Sequence, residues 1–365
     1  MPPHNVIDGE VLIVVSSATR RGAEVQGTTL AHELSARGVA ARAIALAPAS
    51  SGKALPIPVL GRSPLSRGTL ASLRSMARGA SAVVGYGSSS LPACSIALVG
   101  TRVPFVYQSI GDPGQWVRGP WHRRRTGIMF RRADFVSTLW PGATSAIEDL
   151  YGVPRSRMCE IPNARSSSSF TIPSAGERER ARRDLGVAGT GPVAVFVGSL
   201  NEEKRPDLAI RTMEFLPDAV LLVAGDGPLR TDLTTLGSAF NGRVRLLGSL
   251  EDVRPLLRSA DVHISTSRTE GMPGALIEAA LMGVPSVATD VGGVAVTLGP
   301  GGRLVPVESA SNVVAAAVRR VLDDRMRLGE LAREHAAARF TWDVVVPQWI
   351  ELFRLLAGYT ESGRW

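Results

Sequence analysis

Short apolar runs alternate with helix-periodic segments along most of this 365-residue chain. The runs at residues 11–15 and 193–197 are apolar throughout, which is typical of strands buried on both faces of a parallel sheet. Further strands are predicted at residues 41–46, 82–84, 104–107, 135–137, 219–223, 244–247 and 262–264. Helices are predicted at residues 23–37, 71–77, 92–99, 143–151, 177–185, 206–215, 255–259, 313–322, 325–339 and 344–357. This alternation predicts an α/β fold with helices on both faces of parallel sheets.

The length of the chain predicts more than one domain, because a single hydrophobic core rarely grows this large. A polar stretch at residues 164–169 follows Ile161, Pro162 and Asn163 and has little to bury. We therefore expect a first domain over residues 1–172 and a second over residues 173–343. A last amphipathic helix is expected within residues 344–365.

The cysteine, histidine and apolar content of the chain limits the classes of protein to which it can belong. The two cysteines, Cys94 and Cys159, argue against a disulfide framework and fit a reducing compartment. The five histidines are scattered and form no metal-ligand cluster, so we expect no bound metal, and His32 and His263 are expected to be ordinary helix and strand residues. No apolar run approaches the length of a membrane span. We expect a cytoplasmic protein, either soluble or peripheral at the inner face of the membrane.

Charge is distributed unevenly between the two halves. Residues 1–172 hold 19 Lys+Arg against 9 Asp+Glu, a balance of +10, and the remainder holds 22 against 24, a balance of −2. A basic first half predicts an acidic partner, such as an anionic lipid surface, a phosphorylated acceptor or an acidic polymer. The alternative is an arginine-rich composition on a solvated surface.

The segment from Glu270 to Pro285 carries the clearest chemistry. It places Glu270 just before a predicted helix and Glu278 inside that helix. Pro273 and Gly274 suit the first turn of the helix, and its amides favour a phosphate. Because carboxylates accept hydrogen bonds from sugar hydroxyls, the segment predicts a pocket for a nucleotide-sugar.

The same segment resembles the signature of the GT4 family of retaining glycosyltransferases, which have the GT-B fold. The resemblance is specific over residues 193–295 and rests mainly on strand order over residues 10–172. It implies two Rossmann-like, doubly wound domains that face a cleft, with the acceptor bound by the first and the nucleotide-sugar donor by the second. It also implies that the C-terminal helix crosses back to the first domain.

The activity implied by the resemblance is transfer of a sugar from a nucleoside diphosphate sugar, with retention, by a metal-independent hexosyltransferase (EC 2.4). The acceptor would be a glycan, a lipid-linked molecule or a small molecule. No cofactor is expected, because the nucleotide-sugar is a co-substrate. One alternative is a nucleotide-sugar 2-epimerase on the same fold, and another is a nucleotide-sugar-binding protein without catalysis.

The resemblance also implies roles for individual residues. Glu270 would contact the donor sugar, Glu278 the ribose, and Lys204 the diphosphate, together with amides at the helix start. Gly22 would lie near the sugar and acceptor. Independently of the resemblance, Asp112 is a candidate to join Glu270 and Lys204 in catalysis and to bind the sugar or acceptor, and the alternative is an aspartate that only caps a turn. Further donor-binding positions are Gly198, Ser199, Arg205, Gly225, Asp226, Gly227, Val253, Gly271, Met272, Pro273, Gly274, Ala275 and Leu276.

Two positions depart from the family pattern. Ser199 stands where the family usually has an arginine, and Ile110 where many members have a histidine. Arg205 is therefore the candidate for a second positive charge at the diphosphate. The departing phosphate of a retaining transferase takes the acceptor proton, so the missing histidine affects acceptor handling more than the reaction itself.

Aromatic residues interleave with basic ones between residues 116 and 132. They are Trp116, Trp121 and Phe130, with Arg118, His122, Arg123, Arg124, Arg125, Arg131 and Arg132. This pattern predicts contact with an anionic membrane or a lipid-linked acceptor. The alternative is a solvated helix with buried tryptophans. No helix-turn-helix, RNP motif or zinc site accompanies it, so we expect no nucleic-acid partner.

Overall fold

The computed structural model describes residues 9–50, 54–116, 119–187 and 189–362. The chain forms two compact units. The first comprises Met1–Asn163 with Trp342–Trp365, and the second comprises Ala164–Thr341. Each unit is built around its own parallel sheet, as the alternation of strands and helices predicts.

The sheet of the first unit has six strands in the order β2-β1-β3-β4-β5-β6. Residues Val11, Leu12 and Ile13 of the first strand have no exposed surface, as expected for a parallel sheet covered on both faces. The strand order changes direction between β1 and β3. The strands are β1 (Glu10–Val15), β2 (Ala41–Ala45), β3 (Ala80–Tyr86), β4 (Phe105–Gln108), β5 (Phe135–Thr138) and β6 (Met158–Glu160).

Five helices connect these strands. They are α1 (Gly22–Ala36), α2 (Arg67–Ala77), α3 (Ser90–Ala97), α4 (Pro120–Arg132) and α5 (Pro141–Tyr151). Ser66 caps α2 by accepting a hydrogen bond from the Thr69 amide. Arg123 of α4 donates to the carbonyls of Asp149 and Leu150 and so satisfies the last turn of α5.

The sheet of the second unit has the order β12-β11-β10-β7-β8-β9. Counted along the unit, this is the 3-2-1-4-5-6 arrangement of a doubly wound fold, and the direction reverses between β7 and β10. Its strands are β7 (Val193–Val197), β8 (Val220–Ala224), β9 (Val244–Gly248), β10 (Val262–Ser265), β11 (Ser286–Thr289) and β12 (Gly302–Val305). Its helices are α6 (Ala175–Asp184), α7 (Pro206–Thr212), α8 (Arg230–Ser238), α9 (Arg254–Ser259), α10 (Gly274–Leu281), α11 (Val294–Leu298), α12 (Ser311–Asp323) and α13 (Arg325–Arg339).

The second unit begins before residue 173, where the sequence predicts its start. The Arg165 amide donates to the Phe340 carbonyl at 2.8 Å, and Phe170 packs against a core cluster of the second unit. These contacts place residues 164–172 with the second unit. The segment is polar, and its composition alone did not indicate that it packs against this unit.

The last helix, α14 (Trp342–Ser362), belongs to the first unit. Trp349 is 1% exposed, and its ring centroid lies 6.5 Å from that of Tyr86 in β3. Asp343 pairs with Arg37 at the end of α1, with 2.6 Å between Oδ1 and Nη2. Buried aromatic area is therefore what joins α14 to this unit.

His32 and His263 were predicted to be ordinary helix and strand residues. The structure agrees, since His32 lies in α1 and His263 in β10. Burial lowers the pKa of His263 to about 4, so the ring is neutral at pH 7. Among the described residues, no three or more His, Cys, Asp or Glu side chains form a group that could hold a metal ion.

A buried carboxylate ties α6 to the second sheet. Asp261, directly before β10, has a side chain that is 3% exposed. It accepts hydrogen bonds from Arg182 at 2.6 Å, from Arg178 at 3.2 Å and from the Val193 amide at 2.8 Å. Burial lowers the pKa of the Arg178 guanidinium, and Asp261 opposes that shift.

The Asp261→Ala substitution is expected to lower the free energy of unfolding of the second unit by about 3 kcal/mol, because a buried amide and two guanidinium groups lose their acceptor. Urea unfolding followed by circular dichroism measures the loss. Asp252→Ala is the control, because Asp252 pairs with Arg254 in an exposed bridge and its removal should cost about 1 kcal/mol or less. Equal losses in the two variants would contradict this account of Asp261.

Candidate functional site

The candidate site lies where the strand order of the second sheet reverses. Strands β7 and β10 are neighbours there, and the chain leaves their carboxyl ends in loops that contain Lys204 and Glu270. In open α/β sheets, ligands bind outside the carboxyl ends of the strands at this point. The topology therefore brings together two predicted residues that are 66 positions apart.

An ion pair joins the two loops. Lys204 Nζ donates to Glu270 Oε1 at 2.6 Å, and Ser267 Oγ donates to the same oxygen at 2.7 Å. The side chains are 24% and 10% exposed. Thr266 Oγ1 donates hydrogen bonds to the carbonyls of Lys204 and Arg205 at 3.1 and 2.7 Å. These bonds fix the loop after β10 against the loop after β7. Both charged groups are thus held in place and partly shielded from water.

Glycines allow the backbones of the loops around the site to lie in direct contact. A Cβ at Gly225 would collide with the Gly198 carbonyl oxygen, and one at Gly227 would collide with the backbone of Leu200. Gly292, with φ of 52°, likewise lies against the Glu270 carbonyl. Gly225 and Gly227 therefore lie where another stretch of backbone approaches too closely for a side chain.

Helix α10 begins at Gly274, with Pro273 as its N-cap, as predicted. The side chains of Met272 and Leu276 are 4% and 1% exposed. Burial of these side chains leaves the backbone amides at the helix start as the groups that can face an anion. The neighbouring Gly271 is also buried, and its carbonyl accepts from the Gly293 amide at 2.9 Å.

Glu278, in α10, pairs with an arginine that the sequence did not single out. Arg165 Nε donates to Glu278 Oε1 at 2.6 Å, and the two side chains are 20% and 15% exposed. A Cβ at Gly274 would collide with the Arg165 guanidinium, so that group lies over the start of α10. Arg165 follows the Ile-Pro-Asn turn by two residues, and only its charge within an otherwise neutral stretch could have marked it.

The other donor-side positions are more peripheral. Ser199 is exposed, and Asp226 accepts from the Gly227 amide at 2.8 Å and pairs with Arg230 at 3.3 Å, which accounts for its place in a turn. Val253 is half-buried and packs against a core cluster. Ala275, in the first turn of α10, is also half-buried.

Arg205 has left-handed backbone geometry, with φ of 48°, and its guanidinium donates to the Val307 carbonyl. This bond engages the side chain that the sequence assigned as the second cation. Arg205 therefore holds the loop after β7 to the segment that follows β12.

The predicted residues of the first unit lie at the carboxyl edge of its own sheet. Gly22 is the first residue of α1, and burial raises the pKa of the nearby Glu24 carboxyl, although a backbone hydrogen bond and Arg21 oppose this. Asp112 Oδ1 accepts from the Gly114 amide at 3.0 Å, so the carboxylate shapes the turn that follows β4. Its catalytic role stays a prediction.

The aromatic and basic segment divides into buried and exposed parts. Phe130 is fully buried, and Trp116 stacks on it with 6.3 Å between ring centroids, so both belong to the core. Trp121, in contrast, is 83% exposed and Ile128 is 52% exposed. The exposed basic residues of α4 are Arg123, Arg124, Arg125, Arg131 and Arg132. Arg118 lies outside the described residues.

Two family models match the chain in succession. The model described as "Glycosyl transferase 4-like domain" matches residues 21–164, and "Glycosyl transferases group 1" matches residues 191–324. The chain belongs to the GT4-like glycosyltransferases. This confirms the family that the segment from Glu270 to Glu278 indicates.

Two curated relatives are similar to parts of this chain. A GDP-mannose-dependent monoacylated alpha-(1-6)-phosphatidylinositol monomannoside mannosyltransferase from Corynebacterium glutamicum is 29% identical over 201 residues, which are 51% of this chain and 53% of the relative. A D-inositol 3-phosphate glycosyltransferase from Corynebacterium urealyticum is 29% identical over 251 residues, 63% of this chain and 59% of the relative. The chain therefore spans little more than half the length of these relatives.

Among solved structures, HepE from Anabaena in complex with UDP-glucose is similar in fold. The TM-score is 0.82 at 19% identity, over 96% of this chain and all of that one. The two parallel sheets and this likeness confirm the predicted GT-B fold. The roles of the individual site residues remain predictions.

Proposed function

We propose that this chain is a glycosyltransferase of the hexosyltransferase type, which moves a sugar from a nucleoside diphosphate sugar to an acceptor hydroxyl with retention. The observation that carries the proposal is the Lys204–Glu270 pair at the reversal point of the second sheet, beside the start of α10. Family membership supports the same reaction class. The epimerase alternative gains no support from the relatives described above.

The donor would bind through three kinds of contact. Both Lys204 and Ser267 reach Oε1 of Glu270, which leaves Oε2 without a donor among the described residues and able to accept from a sugar hydroxyl. Glu278 would accept from the ribose hydroxyls. The Lys204 ammonium and the amides at the start of α10 would face the diphosphate.

In the proposed reaction, the bond between the anomeric carbon and the diphosphate oxygen breaks, and a bond to the acceptor oxygen forms on the same face. The acceptor proton passes to the departing phosphate oxygen. Negative charge develops on that phosphate, and fixed positive groups such as Lys204 stabilise it. We propose that these groups supply the countercharge without a bound metal.

We further propose that α4 of the first unit contacts an anionic membrane, where a lipid-linked or anionic acceptor would be presented. Trp121 and Ile128 are exposed apolar side chains on a helix that contains no acidic residue. Arginines with an exposed tryptophan suit an anionic interface. No helix within the described part of the chain is long and apolar enough to cross a bilayer.

Binding of UDP, GDP, ADP or dTDP in EDTA tests the donor site by thermal shift. One nucleotide is expected to raise the unfolding temperature by a few degrees, because a ligand at a hundredfold excess over its Kd stabilises the native state by about 2.7 kcal/mol. Glu278→Ala should reduce the shift, whereas Glu179→Ala, which breaks an exposed pair in α6, should not. No shift with any nucleotide at millimolar concentration would contradict the donor site. A shift without transfer or donor hydrolysis would favour an inactive binding protein.

Co-sedimentation with vesicles tests the membrane proposal. Vesicles that contain phosphatidylserine should bind the protein, and neutral phosphatidylcholine vesicles should bind it weakly. Joint Arg124→Gln and Arg125→Gln substitution should weaken binding more than tenfold, since each basic residue near an anionic surface contributes about 1 kcal/mol. Trp121→Ser should also weaken it, whereas Met326→Ser, which removes an exposed apolar side chain of the second unit, should not. Equal weak binding to both vesicle types would refute this contact.

A further inference from the structure

The donor site as described so far has too little positive charge for its ligand. The diphosphate of a nucleotide-sugar carries two negative charges, and Lys204 can balance only one of them. Ser199 is neutral, and the Arg205 guanidinium is bonded to the Val307 carbonyl. A second cation from another part of the unit would balance the charge that Lys204 leaves.

The guanidinium of Arg165 supplies a positive charge at the start of α10. It lies over the start of α10, at the positive end of the helix dipole, where a cation is disfavoured. Glu278 offsets part of this cost through the 2.6 Å bond to Nε, and the Ala164 carbonyl accepts from Nη1 at 2.9 Å. An anion bound next to the helix amides would attract both the amides and the guanidinium.

Gly274 makes this placement possible. Any side chain there would displace the Arg165 guanidinium, because its Cβ would collide with that group. The glycine thus leaves room at the first helical position for a group from residues 164–172, the segment that packs with the second unit. Two separate features, the glycine and the packed segment, bring one positive charge to the helix start.

We propose that Arg165 is the second cation of the donor site, which binds the nucleoside diphosphate at the start of α10 and stabilises it as the leaving group. This inference rests on the proposed function. A planar guanidinium can contact two phosphate oxygens at once, while Nε keeps Glu278 in position for the ribose. Arg165 thereby takes the place of the arginine that the family usually has at position 199.

The test compares UDP, UMP and uridine, and in parallel GDP, GMP and guanosine, by ligand-observed NMR competition in EDTA. Arg165→Met is expected to weaken diphosphate binding about tenfold to a hundredfold, the range for loss of a hydrogen bond to a charged group. Nucleoside binding should fall by a clearly smaller factor, because Arg165 acts on the ribose only through Glu278. Arg165→Lys should restore part of the diphosphate affinity, because it returns the charge without the planar donors.

The controls separate phosphate binding from a purely structural role. Glu278→Gln should weaken diphosphate, monophosphate and nucleoside alike, because it acts on the ribose. Arg183→Met removes an equal charge from an exposed site in α6 and should leave all affinities unchanged. Thermal unfolding without ligand verifies that each variant is folded.

Two results overturn the inference in different ways. If the unaltered protein binds UDP or GDP and Arg165→Met loses diphosphate and nucleoside affinity by equal factors, or loses neither, Arg165 only positions Glu278 or has no role, while the proposed function stands. If the unaltered protein binds neither nucleotide, the proposed function fails, and the role of Arg165 fails with it.

Discussion

The ion pair between Lys204 and Glu270 is the interaction on which the candidate site depends. It joins the loops after β7 and β10, the two neighbouring strands between which the order of the second sheet reverses. Neither loop has regular secondary structure at these residues, so side-chain bonds from Ser267 and Thr266 fix their geometry. Since the helix start of α10 follows directly, a carboxylate, an ammonium group and a set of amides are presented together.

This arrangement preorganises the charged groups of the site. Glu270 and Lys204 are largely buried, and the loops around them are close-packed through glycines that tolerate no Cβ. In the proposed reaction, charged groups held in this way would need little reorganisation as charge develops on the diphosphate. The Arg165–Glu278 pair repeats the same principle at the start of α10. Each of the two carboxylates is thus paired with a cation.

Much of the fold was predictable because strand and helix signals are local. The apolar runs of β1 and β7 and the turn residues of α10 were identified from their own sequence. Helix α8 and the short edge strands β6 and β12 were missed, since they lack a long apolar run or clear periodicity. The secondary structure of the arginine-rich segment that forms α4 was not assigned for the same reason. Its burial pattern, with Phe130 buried and Trp121 exposed, depends on tertiary packing.

The site was predictable in its carboxylates, its lysine and its glycines, which stand in one recognisable order. Arg165 was not, because its partner Glu278 is 113 residues away and only the folded chain brings them together. The sequence likewise did not indicate which group the Arg205 guanidinium bonds. Its acceptor, the Val307 carbonyl, lies 102 residues further along the chain, and no local pattern encodes that distance.

Release of nucleoside diphosphate from UDP-glucose and from GDP-mannose, followed by phosphorus NMR in EDTA with and without the Glu270→Gln substitution, shows whether the reaction depends on the Lys204–Glu270 pair. Slow hydrolysis of at least one donor by the unaltered protein is expected. A loss of about a hundredfold is expected in the variant, since in the proposed reaction Glu270 would orient the sugar and hold Lys204 at the leaving group. Equal release by both proteins would show that the chemistry does not depend on this ion pair.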